Sequence, residues 1–140
     1  MKPEWAALAR HRLQRARETF QDGVALLERG ALSSAVNRLY YAAFYAARAL
    51  LATEGLDASR HSGVITLFGQ RFVKDGTIPP ETAKVLPRSF EKRLDTDYED
   101  FASLEEGEVE AVKQDVERFL QACERLLEAR LSGSKNSADG

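Results

Sequence analysis

A chain of 140 residues with net charge -2, 44% hydrophobic and 30% charged, suits one globular domain that buries about two-thirds of the surface its unfolded chain exposes. That balance excludes a basic nucleic-acid-binding tail or an acidic disordered segment, so an anion site has to come from local arrangement of charge. Cys123 is alone and only two His are present, which excludes an intramolecular disulfide and argues against structural zinc, and no apolar run reaches the length of a membrane span or signal-peptide core.

A cytoplasmic protein without cofactor or metal is expected. Pro3 suits a first helical position, and Trp5, Ala9, Leu13, Ala16, Phe20, Val24 and Leu27 recur at spacings of three or four. A first helix closed by Gly30 follows. Its other side carries Arg10, Arg12, Arg15 and Arg17 around His11, which reads as a solvated face or as a nucleic-acid contact. Ser33 or Ser34 can cap a second helix that reaches about Glu54 before Gly55 stops it. Asp57 and Ser59 offer caps for a third, in which His61, Val64 or Ile65, Phe68 and Phe72 share a face up to Lys74. Asp75-Gly76 ends it, and Thr77-Ile78-Pro79-Pro80 is an extended connector. A fourth helix is carried by Ala83, Leu86, Phe90, Leu94, Tyr98 and Phe101, with Pro87 as either a kink or the start. Ser103 with Glu106 forms a capping box for a fifth, whose face reads Val109, Val112, Val116, Phe119 or Leu120, Cys123 and Leu127. The closing SGSKNSADG is polar and aperiodic, so residues 1–131 are expected to form one domain and 132–140 a disordered tail. No strand alternation appears. The fold class is all-α, an up-and-down bundle of about five helices.

The second helix organises the rest. At the helical step, Val36, Leu39, Tyr40, Ala43, Ala47, Leu50 and Leu51 form a bulky apolar face. Ala35, Ala42, Ala46 and Ala49 form a small face that admits a neighbouring backbone. Asn37, Arg38, Tyr41, Phe44, Tyr45 and Arg48 form a third, polar and aromatic face.

No Gly-rich phosphate loop, metalloprotease motif or nucleophile elbow is present. The candidate chemistry lies on that third face and on Phe90 to Tyr98. Arg93 and Asp97 are four apart beside the apolar residues Phe90, Leu94 and Tyr98. They read as a helix ion pair or as a guanidinium placed to hold a carboxylate or phosphate. Arg38, Tyr41, Tyr45 and Arg48 read as an interface in which each Arg pairs with an acid such as Asp97 or Glu54, or as a surface that stacks a base and holds its phosphate. His61 is a hydrogen-bonded core residue or a group that transfers a proton near neutral pH. Lys84, Arg88 and Lys92 are solvated or extend a phosphate-binding stripe.

The run Ser34 to Leu51, followed by His61-Ser62-Gly63-Val64, by Phe72-Val73-Lys74-Asp75-Gly76, and by Arg93 to Asp97-Tyr98, resembles the HEPN domain (higher eukaryotes and prokaryotes nucleotide-binding), in its short prokaryotic branch. The resemblance spans about residues 5–127. It implies a five-helix bundle, a homodimer, and a separate nucleotidyltransferase as partner in a toxin-antitoxin type system. Many HEPN proteins are metal-independent ribonucleases with an Arg, four to six residues, then a His; the Arg holds the scissile phosphate and the His handles protons as the RNA 2'-hydroxyl attacks. Arg93 fits that Arg, but Tyr98 stands where the His would be, and a phenol of ordinary pKa near 10 is a weak base at neutral pH. Catalytic candidates are therefore Arg93, Tyr98 and His61. Ligand-binding candidates are Arg38, Tyr41, Tyr45, Arg48, Arg93 and Asp97. Three functions stay open: a nucleotide- or RNA-binding partner of a nucleotidyltransferase, a ribonuclease toxin, and a non-catalytic helical interaction partner. Arg38, Tyr41, Tyr45 and Arg48 are expected to form one wall of a cleft whose other wall carries Arg93 and Tyr98.

Overall fold

The computed structural model describes residues 1–98 and 103–139, with side chains described for 1–97 and 103–133. The described residues are helical, without strands: α1 (Pro3–Glu28), α2 (Leu32–Ala52), α3 (His61–Phe68), α4 (Pro80–Ala83), α5 (Val85–Tyr98) and α6 (Glu106–Asp139). α4 is a single turn leading into α5, so five principal helices remain and the all-α bundle is as the sequence predicts.

α1 ends where Gly30 adopts φ +81, the left-handed conformation glycine alone enters without strain. The Ala31 amide donates to Leu26 O and the Gly30 amide to Leu27 O, the paired bonds of a Schellman turn. That turn sets the start of α2 at Leu32, so Ser33 and Ser34 lie inside its first turn and neither caps it. Gly55 repeats the device at the other end, with φ +69 and a bond from the Leu56 amide to Leu51 O. α2 is the centre of the bundle and packs on α1, α3, α5 and α6. Its bulky and small faces are both fully buried, from Ala35 and Val36 to Leu50 and Leu51. Around it, Phe68 packs on Phe72 at 5.2 Å and on Phe119 of α6 at 5.6 Å between ring centroids.

Several local expectations are corrected. The third helix is not regular to Lys74, because Gly69–Val73 form a π turn, with the Lys74 amide donating to Gly69 O. Its cap is Arg60, without a side-chain bond, since Asp57 is engaged elsewhere. The capping box is not made either: α6 begins at Glu106, beyond Ser103. Pro87 does not start α5, which begins at Val85; it sits in the first turn, where helix amides have no intrahelical partner to lose. Helical backbone continues to Asp139, through the stretch whose composition predicts a tail. Phe101 lies outside the described residues.

Candidate phosphate site on the third face of α2

Tyr40 and Tyr41 are neighbours on α2 and each meets a guanidinium from α5. The Arg93 guanidinium lies 5.6 Å from the Tyr40 ring centroid and 5.3 Å from that of Tyr41. Arg38 stands 5.0 Å from the same Tyr41 ring, so the two arginines share one aromatic residue. Charge over an aromatic face is attracted by the ring quadrupole, and this holds both guanidiniums beside the Tyr41 ring. Arg93 Nε donates to Asp97 Oδ2 at 3.1 Å. Among the described residues, that bond leaves the two terminal nitrogens of Arg93 for another acceptor. Arg38 Nε and Nη2 both donate to the Asn37 side-chain oxygen, at 3.0 and 2.7 Å.

His61 opens α3 and enters the same cluster. Its ring stacks on Phe44 at 4.3 Å with 12° between planes, and lies 5.9 Å from Phe90 of α5. It is 5.6 Å from each of Tyr40 and Tyr41, and its Nδ1 is 2.5 Å from the Tyr40 hydroxyl. Burial chiefly, then the positive charges of Arg93 and Arg48, holds the His61 pKa below its ordinary value, which favours the neutral ring. Burial pushes the Tyr40 hydroxyl upward, against the smaller opposite pull of Arg93.

The far end of the face is an ion cluster. Arg48 Nε and Nη2 donate to the two oxygens of Asp57 at 3.1 and 2.8 Å, and Arg12 of α1 reaches Asp57 at 3.0 Å. Hydrogen bonds from Arg48 push the Asp57 carboxyl down to about 2, partial burial opposing them and the Ala58 amide and Arg12 adding to them. Arg15 closes the face over the Tyr45 ring at 5.2 Å.

The family profile described as the HEPN domain matches residues 9–126. The chain belongs to the HEPN domain family. Among its relatives, a UPF0332 protein of Thermotoga maritima is 44% identical over 82% of this chain and 87% of its own. A Methanocaldococcus jannaschii protein named "Putative toxin MJ0605" is 34% identical over 80% of this chain and 83% of its own. A UPF0332 protein of Archaeoglobus fulgidus is 29% identical over 79% and 87%.

In this HEPN chain the structure brings together Arg38, Tyr41, Tyr45, Arg48, His61, Arg93 and Asp97. The backbone of Tyr98 closes α5; its side chain lies outside those described. The expected acid partners of Arg38 and Arg48 are corrected. Asp97 binds Arg93, Glu54 faces Arg71 and Arg130 at 3.6 Å, and Arg48 takes Asp57 from the loop ahead of α3. Lys84 and Lys92 pair with Glu81 and Glu108. The arginines of α1 are not a plain solvated face: Arg12 and Arg15 join this cluster, and Arg17 bridges to Glu117 and Glu124 of α6. Sequence reasoning missed Tyr40, Asp57, Arg12 and Arg15. For Tyr40 the signal was present, since a tyrosine on a buried face needs a partner for its hydroxyl.

Proposed function

We propose that this HEPN protein is a toxin-like, nucleotide- or RNA-binding homodimer and the partner of a separate nucleotidyltransferase. The observation that carries the reading is the meeting of Arg38, Arg93 and His61 on the paired rings of Tyr40 and Tyr41. Two guanidiniums with N–H groups to spare can fork onto phosphate oxygens. The rings beside them offer a base a stacking partner that does not depend on its identity. Asp97 orients Arg93 through Nε and leaves its terminal nitrogens for the ligand. The relatives named as putative toxins support a toxin-like role.

A second reading is a metal-independent ribonuclease, favoured by the place of His61 beside Arg93. Arg93 would hold the scissile phosphate while His61 takes the 2'-hydroxyl proton; O2' would bond to phosphorus as the bond to O5' breaks, leaving a 2',3'-cyclic phosphate and a 5'-oxygen that takes a proton from the His61 imidazolium or from water. Titrating a labelled single-stranded oligoribonucleotide with wild type and Arg93→Ala, in EDTA, tests both. The binding reading expects saturable binding that weakens about tenfold in Arg93→Ala, as for one charge-assisted bond, with the melting temperature kept. No binding by wild type overturns it. Cleavage products in EDTA would favour the ribonuclease.

A further inference from the structure

Tyr40 is fully buried, and a buried phenol has to give its proton to an acceptor. Among the described residues the acceptor within reach of its hydroxyl is Nδ1 of His61. The other groups packed on the ring are Tyr41, Phe44, Phe90 and the Arg93 guanidinium. Three are rings that meet it edge-on or tilted and the fourth is a donor. The charges that face His61 are Arg93 from α5 and Arg48 from α2, their acids Asp97 and Asp57 being engaged by those same arginines. Both cations favour a neutral imidazole. A neutral imidazole that accepts at Nδ1 carries its proton on Nε2. His61 also lines an open cavity of about 510 Å³ with Phe44, Arg48, Asp57 and Ser59.

We propose that Tyr40 is a positioning residue that locks His61 as its Nε2–H tautomer, so that the site offers a phosphate oxygen a hydrogen-bond donor and not a base. The inference rests on the phosphate-binding reading above and separates it from the ribonuclease. A nitrogen that already holds a proton cannot accept one from a 2'-hydroxyl. His61 is then a phosphate ligand on the cavity it lines with Arg48, within reach of the charge of Arg93.

Nitrogen-15 NMR of the full chain tests this by reading the tautomer and the titration of His61 in wild type and in Tyr40→Phe. Wild type is expected to show the Nε2–H tautomer at neutral pH. In Tyr40→Phe, the bond that favours the neutral ring is gone, so the His61 pKa rises and the tautomers mix. An Nδ1–H tautomer in wild type, or a titration unmoved by Tyr40→Phe, overturns the inference. If Tyr40→Phe does not fold, the wild-type tautomer decides alone. A labelled oligouridylate provides the second readout. His61→Gln, whose amide N–H stands near the place of Nε2, is expected to keep affinity within about threefold, and His61→Ala to lose about tenfold. Equal losses in both variants count against the donor role. Failure of wild type to bind oligouridylate removes the phosphate reading and leaves the tautomer result standing.

Discussion

Asp57 is the acid on which two arginines of the site depend. Its carboxyl is pushed down to about 2 from 3.8, so the folded state holds the charged form more tightly than the unfolded chain does. Stability from this group is present above pH 3.8 and is lost as pH falls toward 2. Asp57→Asn is expected to flatten that acid limb in a pH series of thermal melts. At pH 7 it should cost no more than about 1 kcal/mol, because the Asp57 carboxylate is itself exposed to solvent. His61 has the same sign at higher pH. Its lowered pKa supplies stability above its ordinary 6.5 that is lost as pH falls through the folded value. His61→Gln is expected to remove the dependence just below that pH, and an unchanged profile would contradict the neutral ring. At this scale the sequence was half legible. Arg93 and Asp97 are four apart on one helix, so their pairing follows from spacing. The pairing of Arg48 with Asp57 crosses a loop, whose path no periodicity encodes. Periodicity also placed Tyr40 correctly in the core and, by counting it as apolar, hid its hydroxyl.

α2 was the most legible element, because three residue classes at a 100° step leave one arrangement in which both apolar faces are covered. Its ends were less so, since tertiary contacts set them. Gly55 shows why: a Cβ there would stand 2.5 Å from Trp5 of α1, and its φ of +69 is strained for any other residue. Gly55→Ala is expected to cost about 1–3 kcal/mol in chemical denaturation. The cost should shrink in a Trp5→Ala background, where the steric part is gone; an equal cost in both would assign all of it to the backbone. The small face makes a similar demand. Ala46 is fully buried, so Ala46→Leu should destabilise by about 1–3 kcal/mol through overpacking, and a neutral result would mean that the face has slack.

Over the whole molecule, α1, α2, α5 and the start of α3 each deliver part of one surface, with α2 as the common support. The all-helical bundle was readable because a 3.6-residue period runs through every long segment. Which faces meet was readable only for α2. The arginines of α1 reached the site through inter-helix packing that a single chain's pattern does not express. On the function proposed above, Arg38 and Arg93, gathered on Tyr41, bind phosphate together. The salt dependence of binding to a labelled single-stranded oligoribonucleotide tests it most directly, since each phosphate contact adds about 0.7 to the slope of log affinity against log salt. Arg38→Ala and Arg93→Ala are each predicted to lower the slope by about 0.7, with the melting temperature unchanged. Slopes and affinities equal to wild type in both variants would contradict the claim.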